Sequence, residues 1–260
     1  MTSHGWYRLA PFRWDGTVLR RMEVLDGEVL ELAISAARGS LHIEGAADSD
    51  ELRRRATRMF QLDVDIAEFV ALTRESSTHR WVEAAGFGRL LCAPTLWEDI
   101  IKIIATTNVT WSQTVKMIDL LVAKCGRGGA FPSPHEVVRF SERELQDDCR
   151  LGYRAKTMHA LASGIVRGEI DLDAIADPRQ STAELFASYK RLPGIGPYGA
   201  AHLLAMDGRH DFIAVDTEFR RFVREKYHGG RRVSDATLLR RYRKWGRWQY
   251  LAYWSELREP

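Results

Sequence analysis

The stretch LPGIGPYGAAHLLAM, residues 192–206, joins two helical segments through a short turn. Pro193 and Gly194 interrupt the first helix, and Pro197 is well placed to start the second. An apolar residue, then P-G, another apolar residue and a further glycine predict a helix-hairpin-helix motif over residues 181–206. This motif decides the fold class, because the segments on both sides of it also have helical periodicity.

Turns of this shape leave backbone amides unpaired at a helix N-terminus. Here we expect the free amides near Gly194, Ile195 and Gly196. Such amides and the helix dipole attract a phosphate oxygen without reading the base sequence. The turn therefore predicts a contact with a DNA backbone.

A carboxylate follows the hairpin at a fixed distance. The segment DFIAVDTEFRRF, residues 211–222, is extended and apolar up to Asp216, and Thr217 and Glu218 then start another helix. An aspartate there commonly caps the helix, which is the structural interpretation of Asp216. Because Asp216 lies 20 residues after Gly196, the pair also gives a phosphate contact and a nearby carboxylate. That combination suits chemistry on a nucleotide.

The composition predicts a folded protein without metal or membrane features. Of 260 residues, 45% are hydrophobic and 28% are charged, enough to bury a core. The cysteines Cys92, Cys125 and Cys149 are far apart, so we expect neither a disulfide framework nor a zinc or iron–sulfur site. No apolar run reaches the roughly 18 residues of a membrane span, and the N-terminus does not resemble a signal peptide. We expect a cytoplasmic protein.

Positive charge is concentrated in the last part of the chain. Residues 218–260 carry a formal charge of +7, whereas residues 1–217 carry −4. Such an asymmetry indicates a surface that binds a polyanion, although a solvated basic helix has the same composition.

The periodicity predicts an α+β fold that is mainly α. Residues 17–45 alternate apolar and polar side chains around turn signals, as in an antiparallel meander, and helical spacing begins near Ser49. We expect an N-terminal β domain with its following helix over residues 1–75 and a helical domain over residues 76–260.

Four helices are expected inside the helical part. Residues 96–126 hold two helical stretches, of which the first is almost wholly apolar and so is expected in the centre of the fold. Ser141 with Glu144, and Ser181 with Glu184, have the spacing of capping boxes. The second of these starts a helix expected to reach Leu192.

The sequence resembles the HhH-GPD superfamily of DNA glycosylases, and most of all its 8-oxoguanine DNA glycosylase branch. The resemblance covers nearly the whole chain in the phrases FRW (Phe12), MFQLDV (Met59), LWEDIIKIIATTN (Leu96), LGYRAK (Leu151), LPGIG (Leu192), IAVD (Ile213) and WQYLAYWSELRE (Trp248). It implies a small antiparallel β domain, two helical subdomains and a base-binding cleft between them. It also implies that the protein extrudes a base from duplex DNA and that Asp216 serves in hydrolysis of its N-glycosidic bond.

One departure from the family pattern bears on mechanism. Bifunctional members carry a catalytic lysine two residues after the last turn glycine, where this chain has Tyr198. An amine attacks the sugar and leads to strand cleavage, whereas an aspartate stabilises the sugar cation and activates water. We therefore expect a monofunctional glycosylase. The alkylpurine branch also has an aromatic residue there, and Tyr198 is expected to stack on a flipped base.

The resemblance assigns further residues, each of which has a structural alternative as a cap or packing residue. Asn108 is expected to fill the gap left by the flipped base, with Gln113 and Tyr153 as lesser DNA contacts. Residues of the last helix are expected to join Tyr198 in the base pocket: Tyr250, Tyr253 and Trp254. A basic run is expected to neutralise phosphates: Arg240, Arg241, Arg243, Lys244 and Arg247.

The expected partner is double-stranded DNA with a damaged or modified base, bound by a monomer. The iron–sulfur branch is excluded because its four closely spaced cysteines are missing. We expect no cofactor. Some family members hold a monovalent cation through hairpin carbonyls, which here are those of Leu192 to Gly196.

Three alternatives stay open at this point. Hairpins of this type also occur in DNA-binding modules without catalysis. Another amine, from Lys102, Lys156 or Lys190, would give lyase activity. The substrate is an alkylated purine, an oxidised guanine or a modified cytosine, including hypermodified bacteriophage cytosines. The first two imply base excision repair, and the third implies defence against phage.

Overall fold

A computed structural model describes residues 1–37 and 39–259. Its N-terminal part contains an antiparallel sheet in which each strand pairs with the next along the chain. Asp26 and Gly27, with φ of 49° and 84°, form the tight turn that joins the second strand to the third. Positive φ at both turn residues matches the right-handed twist of the flanking strands. The meander predicted over residues 17–45 is thus present, as β1 (Arg13–Trp14), β2 (Leu19–Leu25), β3 (Glu28–Ala37) and β4 (Ser40–Glu44).

Helices make up most of the remaining described chain. They are α1 (Asp50–Phe60), α2 (Ala67–Arg74), α3 (Trp81–Ala84), α4 (Leu96–Thr106), α5 (Trp111–Cys125), α6 (Pro134–Val137), α7 (Glu142–Asp147), α8 (Arg154–Val166), α9 (Leu172–Ile175), α10 (Thr182–Lys190), α11 (Pro197–Met206), α12 (Thr217–His228), α13 (Asp235–Arg240) and α14 (Gln249–Leu257). Short 3-10 helices occupy Gly5–Arg8, Arg127–Gly129 and Arg243–Trp248. Among the described residues, no helix combines the length and the apolar character needed to cross a membrane.

Both predicted capping boxes are present. The Ser141 side chain accepts a hydrogen bond from the Glu144 amide at the start of α7, and Glu144 accepts one from the Ser141 amide in return. Ser181 and Glu184 form the same pair at the start of α10. Each box satisfies two amides that the helix itself leaves unpaired. A serine followed three residues later by a glutamate therefore indicates the start of a helix.

Helix α4 lies in the centre of the molecule, as its apolar sequence predicts. It also buries charged residues, because Glu98, Asp99 and Lys102 are each at most 1% exposed. Glu98 receives a hydrogen bond from Arg21 of β2 at 2.9 Å and another from Lys102 at 2.6 Å. Arg58 of α1 contacts Asp99 at 2.6 Å. These ion pairs attach the sheet and α1 to the helical part of the protein.

Two hydrophobic clusters form the interior. The larger contains the buried face of the sheet together with residues of α4, α5, α8 and α11, and the smaller contains residues of α12, α13 and α14. Trp254 of α14 packs against both clusters. The α+β, mainly α fold class is confirmed, while the domain boundary at residue 75 stays a prediction.

Candidate active site

The predicted helix-hairpin-helix is formed by α10, a six-residue turn and α11. Helix α10 ends at Lys190 rather than at Leu192, and Leu192 is buried in the turn at 4% exposure. Pro197 occupies the first turn of α11 and Gly196 is its N-cap residue. Proline is suited to this position because its missing N–H would have no partner in the first turn.

Gly194 allows the turn to pack closely on two other helices. Its φ is +78°, a left-handed conformation that glycine adopts without strain. A Cβ at this position would lie 2.5 Å from Cγ2 of Thr157, near the start of α8, and 3.4 Å from Ile104, near the end of α4. The hairpin turn and the ends of these two helices therefore form one continuous surface.

The turn amides only partly match the prediction. Gly194 and Gly196 are exposed, and neither amide donates to a backbone carbonyl among the residues that the structure describes. The Ile195 amide is not free, because it donates to the Leu192 carbonyl at 3.1 Å, and its side chain is buried. Ile195 thus anchors the turn, and the amides suited to a phosphate are those of Gly194 and Gly196.

Asp216 is the N-cap of α12, and its carboxylate accepts a hydrogen bond from the Phe219 amide at 2.7 Å. The residue is half-buried. Burial raises the pKa of its carboxyl group, and the nearby Glu218 charge adds to this, while the amide hydrogen bond opposes it. Asp216 can cap the helix and still face the site, because the hydrogen bond from Phe219 uses only one of its two carboxylate oxygens.

Tyr198 lies in the first turn of α11 with a half-buried side chain. Burial and the negative charge of Asp216 raise the pKa of its hydroxyl to about 12, and a hydrogen bond with Thr106 partly opposes this rise. The phenol is therefore neutral at physiological pH. The hairpin thus places an uncharged aromatic side chain, rather than an amine, where the charge of the Asp216 carboxylate acts on it.

The three aromatic residues predicted from the last helix are all on α14 and differ in exposure. Tyr250 and Tyr253 are 2% and 3% exposed, and burial with the Asp216 charge nearby raises the pKa of both hydroxyls. Trp254 is half-buried, and its Nε1 donates to the Ser3 carbonyl at 2.9 Å. The Tyr250 ring is stacked near Trp254 on one side, with 5.9 Å between centroids. Trp254 is therefore more accessible to a base than Tyr250.

The structure adds His202 to this group, a residue that the sequence analysis missed. It lies one helical turn after Tyr198 on α11, and its ring centroid is 4.8 Å from that of Tyr198 and 5.9 Å from that of Tyr250. The spacing of four residues on a helix is the signal that could have identified it. Ser3, whose carbonyl accepts the hydrogen bond from Trp254, had no such signal in the sequence.

The residues predicted to contact the duplex near the flipped base lie together. Asn108, exposed just after α4 with φ of +52°, donates to the Tyr153 hydroxyl at 3.3 Å, and Tyr153 is 64% exposed. Arg154 donates to the Thr107 carbonyl and lies over the Tyr153 ring. An exposed amide and phenol held in this way suit insertion into DNA, and that role stays a prediction.

Gln113 has a structural role that the sequence left open. With Thr110 it forms the capping box of α5, in which the Gln113 side chain accepts from the Thr110 amide at 2.9 Å. Its side-chain NH₂ group remains available, because the cap uses the carbonyl oxygen. A DNA contact by Gln113 stays a prediction.

All five basic residues of the run have exposed side chains. Arg247 pairs with Glu68 at 2.6 Å, and Arg241 lies over the Tyr227 ring. Arg240, Arg243 and Lys244 form no ion pair within the described part of the chain, so their charges are available to phosphates. Phosphate binding by this run stays a prediction.

The three lysines considered as alternative nucleophiles have very different surroundings. Lys102 is 0% exposed, and its ammonium group pairs with Glu98 at 2.6 Å. Lys156 and Lys190 are exposed on α8 and α10. None of the three belongs to the aromatic group formed by Tyr198, His202, Tyr250, Tyr253 and Trp254.

The described residues contain no group of three or more His, Cys, Asp or Glu side chains arranged to hold a metal ion. Of the hairpin carbonyls proposed for a monovalent cation, that of Leu192 accepts a hydrogen bond from the Ile195 amide and that of Gly196 accepts one from the Ala200 amide. A carbonyl has a second lone pair, so these bonds do not conflict with cation binding. The cation stays a prediction.

The fold is shared with solved structures of DNA glycosylases, including the following two. One is 3-methyladenine DNA-glycosylase from Archaeoglobus fulgidus, with a TM-score of 0.79 at 20% identity, covering 100% of this chain and 93% of that protein. The other is the Clostridium acetobutylicum 8-oxoguanine glycosylase/lyase in complex with double-stranded DNA, with a TM-score of 0.72 at 20% identity over 98% and 90% of the two chains.

The sequence comparisons agree with the fold. The chain is 24% identical over 263 residues to the probable N-glycosylase/DNA lyase of Methanothermobacter thermautotrophicus, covering 88% of this chain and 81% of the relative. Residues 101–247 match the profile of the HhH-GPD superfamily base excision DNA repair proteins, a match that includes the hairpin, Tyr198 and Asp216. Because the match spans more than half of its length, the chain belongs to the HhH-GPD superfamily of base excision DNA repair proteins and has the fold of their DNA glycosylases.

Proposed function

We propose that this DNA glycosylase is monofunctional: it releases a base by hydrolysis with Asp216 and leaves the abasic strand intact. The observation that carries the proposal is Tyr198, a neutral phenol beside the carboxylate where an amine would be needed for covalent catalysis. Neither a phenol nor a carboxylate forms a Schiff base with the sugar C1′, the intermediate through which lyase-active glycosylases cleave the strand without added alkali.

The Asp216 carboxylate is suited to hydrolysis. As the bond between C1′ and the base nitrogen breaks, positive charge develops on the sugar. A fixed negative charge stabilises it, more strongly in a half-buried site than in bulk water. A water molecule directed by the carboxylate then bonds to C1′ through its oxygen and loses a proton. The raised pKa of Asp216 makes it a better proton acceptor for this step than an exposed aspartate.

The surroundings of the lysines support the same proposal. Lys102 would have to break its buried pair with Glu98 and leave the interior to reach DNA. Separating such a pair leaves a charge buried without a partner, which costs about 3–5 kcal/mol. Lys156 and Lys190 lie on the surface outside the aromatic group.

The proposed substrate is a damaged or modified base from one of three classes. Tyr198 and Trp254, both half-buried, offer flat surfaces that suit a planar base, as in an alkylated purine or an oxidised guanine. The names of the structural relatives favour these classes, since one acts on 3-methyladenine and another on 8-oxoguanine. A modified cytosine, such as a hypermodified phage cytosine, is the third class and would imply anti-phage defence.

The test is to incubate the protein with methylated DNA, oxidised DNA and phage DNA containing modified cytosines. Released bases are identified by mass spectrometry before any alkaline treatment. Parallel gels with and without alkali measure strand cleavage, and borohydride is used to trap any covalent adduct. We expect a free base, strand breaks only after alkali, and no trapped protein.

A borohydride adduct that disappears when Lys102, Lys156 or Lys190 is replaced would overturn the monofunctional assignment. Binding to all three DNAs without release of any base would instead favour the non-catalytic alternative. The identity of the released base decides between repair and defence.

A further inference from the structure

His202 has a buried polar atom without a partner. Its Nδ1 is inaccessible to solvent and forms no hydrogen bond with the described residues. The ring nevertheless contacts two residues of the candidate base pocket, since its centroid is 4.8 Å from that of Tyr198 and 5.9 Å from that of Tyr250. Nε2 is not enclosed in this way and also has no hydrogen-bond partner among the described residues, and the side chain as a whole is half-buried, so Nε2, rather than Nδ1, is the nitrogen open to a flipped base.

Burial also determines the charge of this imidazole. It lowers the pKa of His202 to about 4, so that the ring is neutral at physiological pH. A neutral imidazole has one nitrogen that donates and one that accepts a hydrogen bond. Because a bound base removes the accessible nitrogen, Nε2, from water, a base that supplies a hydrogen-bond partner for it gains affinity and specificity.

We propose that His202 hydrogen-bonds the edge of the extruded base and makes the pocket selective for bases with a polar group on that edge. The proposal rests on the proposed glycosylase function and adds a specificity-determining residue to it. It predicts discrimination by hydrogen bonding, in addition to the stacking that Tyr198 and Trp254 provide. A base of the same shape without the polar group would leave the imidazole unpaired and would be a poor substrate.

His210 provides a matched control within the same molecule. Neither of its ring nitrogens has a hydrogen-bond partner among the described residues, and burial lowers its pKa to about 3. However, it is only 1% exposed and lies between the rings of Trp248 and Tyr250, with centroid distances of 5.8 and 6.1 Å. His210 is therefore behind Tyr250, where a base has no access without displacing the stack.

The first experiment measures single-turnover release of the base that the wild-type protein removes. His202→Phe keeps an aromatic ring and removes both nitrogens, His202→Gln restores a hydrogen-bonding group, and His210→Phe is the control. We expect a roughly 10- to 100-fold slower reaction for His202→Phe, partial recovery for His202→Gln and a near-normal rate for His210→Phe. Circular dichroism checks that each variant is folded.

The second experiment detects the contact without relying on turnover. Asp216→Asn protein with ¹³C-labelled histidine is mixed with one of two duplexes. The first still carries the base that the wild-type protein removes, and the second has a tetrahydrofuran abasic analogue at the same position. We expect the His202 resonance, which is assigned by its loss in His202→Phe, to shift only with the base-containing duplex. The His210 resonance should have the same position with both duplexes.

The outcomes separate the two proposals. If the wild-type protein releases no base from any DNA, the proposed function fails and this inference fails with it. If it releases a base but His202→Phe reacts at the wild-type rate, or the two duplexes shift the His202 resonance equally, only the role of His202 is overturned.

Discussion

At the scale of a single residue, Asp216 has two roles that use the same carboxylate. It caps α12 through the Phe219 amide, and its half-buried charge acts on the Tyr198 hydroxyl in the candidate site. Because asparagine caps helices about as well as aspartate, Asp216→Asn separates the roles. We expect loss of base release by at least about 100-fold with unchanged or tighter DNA binding, measured by single-turnover kinetics and fluorescence anisotropy. Tighter binding would reflect removal of a negative charge near phosphates.

Asp171 is the matched control for this prediction. It is an exposed N-cap aspartate of α9 whose side chain accepts from the amides of Asp173 and Ala174. Asp171→Asn makes the same chemical change at a similar position outside the candidate site, and we expect wild-type activity. Substantial base release by Asp216→Asn would show that the carboxylate is not the catalytic group.

At the scale of an element, the hairpin turn depends on one glycine for its packing. Gly194→Ala adds a Cβ 2.5 Å from Thr157 and requires an alanine at φ of +78°. The turn must move, and we expect DNA affinity to fall roughly tenfold through lost amide–phosphate contacts. The loss should be equal for all DNA sequences, because these contacts carry no base information. Binding titrations with several duplexes measure it.

Gly168→Ala separates backbone strain from the effect on the turn. Gly168 follows α8 with a similar φ of +73°, and a Cβ there has open space around it. We expect a comparable strain of about 1–2 kcal/mol and unchanged DNA affinity. A sequence-selective loss for Gly194→Ala would contradict a backbone contact.

At the scale of the whole molecule, a buried ion network connects the sheet to α4. Burial alone would raise the pKa of Glu98, but the charges of Arg21 and Lys102 outweigh it and hold the pKa below its ordinary value. Glu98→Gln leaves these two buried cations without their shared partner. We expect the free energy of unfolding to decrease by about 3–5 kcal/mol, measured by urea denaturation.

Glu31→Gln is the control on the same sheet. Glu31 pairs with Arg20 at 3.9 Å, and both side chains are nearly half exposed. We expect a change below about 1 kcal/mol, because water screens exposed pairs. Equal effects of the two substitutions would mean that the buried network contributes no more than a surface pair.

Local patterns in the sequence determined the elements and the central motif. The alternation of residues 17–45, the capping pairs at Ser141 and Ser181, and the turn around Gly194 each predicted a structure that is present. Asp216 at a helix start was predicted in the same way. These features depend on neighbours within a few residues, and such short-range interactions can be inferred from the sequence directly.

Contacts between distant segments were decided only by the tertiary structure. His202 packs near the ring of Tyr250, which comes 48 residues later, and Trp254 donates a hydrogen bond to Ser3 at the other end of the chain. The engaged amide of Ile195 and the burial of Lys102 were likewise not predicted. Side-chain burial and pairing across the fold depend on how helices pack in three dimensions, and residue type and periodicity do not specify those distances.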